Sequence, residues 1–344
     1  MAVSVTAAAS LGAPLSLLVL ASAAFAQGKE EPTFPVVKLS GMLFPSYSLD
    51  LSDGADLANA FDVDRVYLRT DVTMSKRFAA RVTLDADHMK PALLSSGEEV
   101  TYDTKYRVFV KHAYLEARDL GPIKVRIGMI DTPYTPFYDA LWGHRYVAES
   151  FAKNAGVLET ADLGVAILGN HGGGLVDWNV EVLNGEGYNK LEVDAGKSFH
   201  GRLTVNPLAK MEKRALPITG FAAYAMHPST GEDTFTWAGS VGFDMPRLFV
   251  WAEVLGTSTG PTSGLGYSAT LNPRLPKYAG LIARYDHWDP DTDAGDDGEN
   301  LLIAGIDRDF MDKVSLALTY EREWVDGAAD AATHGIVLHG QAGF

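Results

Sequence analysis

Apolar and polar residues alternate in twos along most of this chain. In Val66-Leu68-Thr70-Val72 the apolar or weakly polar set alternates with Arg65, Tyr67, Arg69 and Asp71. Ala80-Val82-Leu84-Ala86 repeats this against Arg81, Thr83, Asp85 and Asp87, and Val314-Leu316-Leu318-Tyr320 does so against Ser315, Thr319 and Glu321. A period of two sends successive side chains to opposite faces, so each segment reads as a strand with one face in an apolar medium and the other in water. About sixteen such segments follow one another. The count falls to fourteen if two weak stretches near 216–243 are one strand.

The connections sort by length. Tight turns are expected at Ser75-Lys76-Arg77, Leu120-Gly121-Pro122, Asp244-Met245-Pro246, Asn272-Pro273-Arg274 and Met311-Asp312. Between them lie longer polar loops at roughly 52–61, 89–104, 131–160, 184–196, 256–264, 289–300 and 325–333, with residues 207–215 as a longer inner turn. A soluble sandwich would alternate in the same way. Short turns on one rim and long loops on the other instead predict an all-β, transmembrane antiparallel barrel, whose backbone must be fully paired because lipid offers no hydrogen bonds.

Composition agrees with strands rather than helices as the crossing element. The apolar share is 47%, yet no stretch beyond the N-terminal segment approaches the ~20 uninterrupted apolar residues that a spanning helix needs. The absence of cysteine excludes disulfides, thiolate metal sites and thiol nucleophiles. With 29 basic against 44 acidic residues and a net charge of -15, a nucleic-acid partner is not expected. Residues 1–26 read as an export signal: an apolar run from Leu11 to Leu20, then small residues and Ala24-Phe25-Ala26, although no Lys or Arg precedes Lys29. The remaining 27–344 is then one barrel domain.

At the other end the period of two runs out to the last residue. Phe344, Ala342, Gly340, Leu338 and Ile336 share a face, against Gln341, His339, Val337 and Gly335. This ending resembles bacterial outer-membrane porins, in which a terminal Phe is the insertion signal read by the barrel-assembly machinery. The likeness sharpens over residues 62–160. Asp62-Val63-Asp64-Arg65-Val66-Tyr67-Leu68-Arg69, Arg81-Val82-Thr83-Leu84-Asp85-Ala86-Asp87, Lys111-His112-Ala113-Tyr114-Leu115-Glu116 and Arg126-Ile127-Gly128-Met129 resemble the phosphate-selective porins O and P. The resemblance implies sixteen strands, a homotrimer in the bacterial outer membrane, and passive diffusion of small hydrophilic solutes or inorganic ions through a water-filled lumen. Phosphate specificity does not transfer with it, since no dense arginine ladder or lysine cluster is matched.

The polar face supplies the candidate chemistry. Arg65, Arg69, Arg81, Arg107, Lys111, Lys124 and Arg126 form a basic strip, interleaved with acids such as Asp71, Asp85, Asp87 and Glu321. Such a strip facing an acidic one sets a transverse field and points to some preference for anions. Pairing of the same charges for solvation alone is the plainer expectation for many of them.

The third external loop, 131–160, exceeds the usual length of a structureless connection and carries Tyr134, Phe137, Tyr138, Trp142, Tyr146 and Phe151. That much aromatic surface predicts a loop folded into the barrel, as porins fold theirs, with Tyr134, Asp139, His144, Arg145, Tyr146, Glu149 and Lys153 at the constriction. The competing expectation packs it over the rim or against another subunit.

Other apparent motifs lack their context. His171-Gly172-Gly173-Gly174 and Gly256-Thr257-Ser258-Thr259-Gly260 mimic esterase signatures, but Pro261-Thr262-Ser263-Gly264 cannot open the required helix. The acidic run 289–297 lacks the Gly and closing Glu of a calcium loop, leaving weak surface binding of divalent cations as the alternative to a solvated loop. No catalytic residue, metal site or cofactor is expected. Two functional classes remain: a passive channel, and a plugged barrel with a structural or surface-interaction role.

Overall fold

A computed structural model describes residues 33–87, 106–192, 194–275, 279–328 and 331–344. The expected export signal over 1–26 and the expected loop over 89–104 lie outside the described residues. From Pro35 onward the chain forms one compact unit.

Among the described residues the period of two becomes sixteen strands. They are β1 (Val36–Asp50), β2 (Asn59–Thr73), β3 (Phe78–Asp87), β4 (Arg107–Leu120), β5 (Ile123–Asp131), β6 (Ala161–His171), β7 (Val176–Leu183) and β8 (Ser198–Val205), followed by β9 (Ile218–Ala225), β10 (Thr234–Met245), β11 (Leu248–Thr259), β12 (Thr262–Pro273), β13 (Gly280–Asp289), β14 (Glu299–Met311), β15 (Val314–Val325) and β16 (Thr333–Gly343). Each pairs antiparallel with its sequence neighbours, and β1 pairs with β16, so the sheet closes on itself and has no free edge. The stretch near 216–243 holds two separate strands, β9 and β10, which settles sixteen over fourteen.

Residues opposite one another in a ladder share a face, and the register carries one inner face around the ring. In β10, Thr236, Ala238 and Ser240 are buried while Phe235, Trp237, Val241 and Phe243 are exposed. An outward apolar face recurs around the ring, with Leu68, Val82, Leu115, Ile127, Val165, Leu203, Leu271, Ile306 and Leu318 among the exposed apolar residues. A belt of large apolar side chains left uncovered all round a closed ring is the reverse of a soluble fold. At ~3.3 Å per residue even the eight-residue β7, β8 and β9 reach roughly 26 Å.

Phe344 extends the β1–β16 seam beyond the ladder that runs from Met42 opposite Gly343 to Asp50 opposite Gly335. Gly41 and Phe344 exchange both backbone hydrogen bonds at 3.1 Å. The Phe344 ring lies over Gly41 so closely that a Cβ there would stand 2.2 Å from Cζ.

The inner-rim turns near Lys76, Gly121, Pro246 and Asp312 follow the expectation, whereas Asn272 and Pro273 end β12 and the chain reaches β13 only at Gly280. Gly172, Gly173 and Gly174, with φ of +64°, +70° and +94°, make the turn between β6 and β7. That conformation suits a hairpin, and glycine adopts it without strain. The expected loop at 256–264 is corrected. β11 runs to Thr259 and β12 starts at Thr262, leaving Gly260-Pro261 as the turn. Thr234 and Thr259 hydroxyls meet at 2.8 Å and Ser258 and Ser263 at 3.4 Å, so these polar residues extend the ladder beyond the apolar belt, where both faces tolerate them.

Candidate functional site

The connection from β5 to β6 spans 132–160 and folds on its own aromatic residues. Among the described residues it contains α1 (Thr135–Trp142) and α2 (Phe151–Asn154). Pro136 lies in the first turn of α1, where its missing N–H costs nothing, and Gly143 at φ +75° ends it. Tyr134, Tyr138, Trp142, Tyr146 and Phe151 are all buried.

Those rings are buried against strands on the far arc of the ring. The Tyr134 hydroxyl donates to Glu253 of β11 at 2.7 Å, and its ring stands 5.1 Å from Phe221 of β9. The Tyr138 hydroxyl meets Thr270 of β12 at 3.2 Å. Arg284 of β13 donates to the Glu149 carbonyl at 2.6 Å, and its guanidinium lies 5.0 Å above the Trp142 ring. His144 Nε2 is 3.3 Å from Asp307 of β14. Toward the near arc, Glu149 lies 3.5 Å from Arg65 of β2, and the Tyr146 and Phe44 rings are 6.4 Å apart. Every wall residue in these contacts belongs to the face opposite the exposed apolar belt.

The seven residues expected at a constriction divide by role. Arg145, Tyr146 and Glu149 line a cavity of about 1200 Å³ on the long-loop side, and His144 and Tyr146 line a second of about 490 Å³ on the short-turn side. Tyr146 thus stands between the two, its ring stacked on His144 at 5.8 Å. Tyr134, Asp139 and Lys153 line neither cavity. Tyr134 anchors the loop to the wall, Asp139 stands 3.6 Å from Arg145, and Lys153 pairs within the loop with Glu159 at 2.7 Å. Arg145 also pairs with Glu149. Burial pushes the Asp139 carboxyl up to about 6, Arg145 offsetting part of the effect. Glu149 is also buried, but Arg145 and Arg65 outweigh that and hold its carboxyl below the usual range.

The expected basic strip is inward-facing and largely ion-paired. Arg65 reaches Asp85 and Asp87 at 3.0 Å each, Arg81 reaches Asp71 at 2.8 Å, Arg69 reaches the same Asp71 at 2.6 Å, and Arg126 reaches Glu116 at 2.9 Å. Lys111 lies 4.9 Å over the Tyr67 ring and 3.8 Å from Asp85. It occupies a bulge, since Leu84 pairs with Val110 and Thr83 with His112, so Lys111 and His112 both serve the inner face. Arg107 stands opposite Asp87 in the ladder, and Lys124 is exposed near the inner rim.

Sequence reasoning missed a second set of charges. Register places Glu299, Asp307 and Asp309 of β14 and Glu323 of β15 on the inner face with Glu321. The signal that could have found them is the odd-numbered series in Glu299–Asp309, blurred by Asn300 and by the run Leu301-Leu302-Ile303.

No protein-family model and no curated protein matches this chain, so the likeness to the phosphate-selective porins rests on the segments quoted above. Solved structures do match in fold. Over 90% of this chain it is similar to OmpF of Salmonella typhi in complex with daunomycin (TM-score 0.65, 8% identity, 97% of that chain). It is similar over the same share to an anion-selective porin from Comamonas acidovorans (TM-score 0.63, 10% identity, 100% of that chain). A third is the outer membrane channel DcaP of Acinetobacter baumannii (TM-score 0.59, 10% identity, 97% of that chain). These likenesses establish the fold: a closed antiparallel barrel of the kind seen in outer-membrane porins.

Proposed function

We propose that this chain is a porin of the bacterial outer membrane, through which small hydrophilic solutes and ions diffuse passively. One observation carries the reading: a ring of sixteen paired strands leaves large apolar side chains uncovered outside and gathers charged and polar ones inside. Lipid satisfies the first face and water the second, and a fully paired backbone meets the demand of the bilayer. Residues 1–26 direct export, and the working unit is the homotrimer that the sequence resemblance implies.

In this reading the third loop crosses the lumen and narrows it. Its contacts with β11–β14 on one side and with Arg65 and Phe44 on the other support this, because a segment leaving β5 meets strands about half a ring away most directly through the interior. Arg145, Tyr146 and Glu149 then form the narrowest section. The same wall-to-wall span favours the second reading, a plugged barrel. Planar-bilayer recording of the purified protein separates them: stepwise openings support the channel, and silence at saturating protein supports the plug. The expected anion preference has one parallel, in the anion-selective porin that shares the fold, but in this chain the basic strip behind that expectation is largely paired with carboxylates on the same face.

A further inference from the structure

The two arcs of the inner face carry different balances of charge, and the larger cavity opens on the acidic one. Among its described lining residues are eight carboxylates, including Asp286, Glu299, Glu321 and Glu323, against the two arginines Arg65 and Arg145; even with Arg284 behind Asp286 and His339 beside Glu321 the carboxylates stay in excess. Both arginines are engaged by carboxylates, Arg65 by Asp85, Asp87 and Glu149, and Arg145 by Glu149 and Asp139. In β14 and β15 register sends the inner-face positions to Glu299, Asp307, Asp309, Glu321 and Glu323, while Arg322 opposite Leu302 falls on the other face and Arg308, opposite Leu316, reaches only the smaller cavity at the short-turn rim. The smaller cavity is balanced, Asp307 and Asp309 being met by Arg274 and Arg308 at its lining. The larger cavity therefore sets the sign of the field a solute meets.

Two further features bear on which cation. Phe44, Tyr146, Phe151 and Trp288 line the same cavity, and aromatic faces attract cations that carry little hydration. Between the cavities, the Tyr146 hydroxyl is buried and has no hydrogen-bond partner among the described residues, although the residue lines both. A buried hydroxyl without a partner is costly, and a solute carrying N–H groups relieves it by donating to its oxygen.

We infer that the passage prefers cations, and that its permeant class is small organic cations bearing an ammonium or guanidinium group. The inference rests on the channel reading. Carboxylates of β13–β15 concentrate the cation in the larger cavity, the rings accept its apolar part, and Tyr146 takes a hydrogen bond from it as it crosses to the smaller one.

The test is the reversal potential of the purified full-length protein in a planar bilayer. In a potassium chloride gradient the wild type reverses toward the potassium potential. With guanidinium chloride facing potassium chloride, guanidinium permeates better than its free-solution mobility relative to potassium allows. Glu299→Gln with Glu321→Gln lowers the potassium-to-chloride permeability ratio by roughly two- to threefold, and Tyr146→Phe lowers the guanidinium-to-potassium ratio while leaving the potassium-to-chloride ratio in place. A wild-type channel that conducts but reverses at zero or toward chloride overturns the inference and leaves the channel reading standing. So does a double variant with unchanged selectivity. A protein that never conducts overturns the channel reading, and this inference with it.

Discussion

The β2–β5 arc and the β13–β15 arc handle charge in opposite ways. In the first, Arg65, Arg69, Arg81 and Arg126 each lie within ion-pair distance of a carboxylate on the same inner face. In the second, carboxylates crowd β14 and β15, and Arg284, buried against Asp286, is the inward arginine among the described residues of β13. A basic strip read from sequence is thus not a positive surface, because pairing cancels much of its field. An acidic arc with few cations is the stronger source of potential, although shorter to the eye.

The largest effect is expected from breaking the paired arc at its hub. Arg65→Ala leaves Asp85 buried without its main cation and removes the bridge to Glu149. The loss should be about 3 kcal/mol or more in stability, read as a lower temperature for loss of the folded band in detergent gels. Surviving channels should be more cation-preferring than wild type. Arg284→Met attacks the other arc. It frees Asp286 and releases the Glu149 carbonyl, so the third loop loosens from β13 and single-channel conductance rises with larger current noise. Equal conductance in the two proteins would mean the loop is not held there.

Smaller effects sharpen the contrast. Tyr134→Phe removes the hydroxyl that donates to Glu253 and costs about 1–2 kcal/mol, with no change in ion preference, because Tyr134 lines neither cavity. Thermal unfolding and reversal potential measured on one sample check both halves of that statement. Smallest of all, Lys111→Met keeps the packing on Tyr67 while removing one charge from a compensated cluster, and should shift the reversal potential by only a few millivolts toward cations.

Much of this architecture is legible in the chain. Alternation in Val66–Val72 and Ala80–Ala86 places the inner and outer faces correctly, and the aromatic load of 131–160 announces a packed loop. The pairing is less legible. Arg69 with Asp71 is two residues apart, but Arg65 with Asp85 and Glu149 needs the register and the loop path together. Bulges are the second obstacle. The register slips at Phe44/Pro45 and at Thr83/Leu84 shift parity, so Lys111 and His112 both turn inward where strict alternation would separate them. Polar ladders are the third, since Thr257–Thr259 and Thr262–Ser263 read as loop by composition and pair as strand. The acidic arc was hidden for a related reason: apolar Leu301 and Ile303 occupy inward positions against the loop, erasing the alternation that would have marked Glu299, Asp307 and Asp309.

Because the chain has no cysteine, a single introduced thiol reports one position without background. Current is recorded through channels carrying Glu321→Cys or Leu318→Cys while a charged, membrane-impermeant thiol reagent is added to the water. Modification at 321 should change the current stepwise and modification at 318 should not occur. Reaction at 318 with none at 321 would put water on the apolar face and contradict the account at its root.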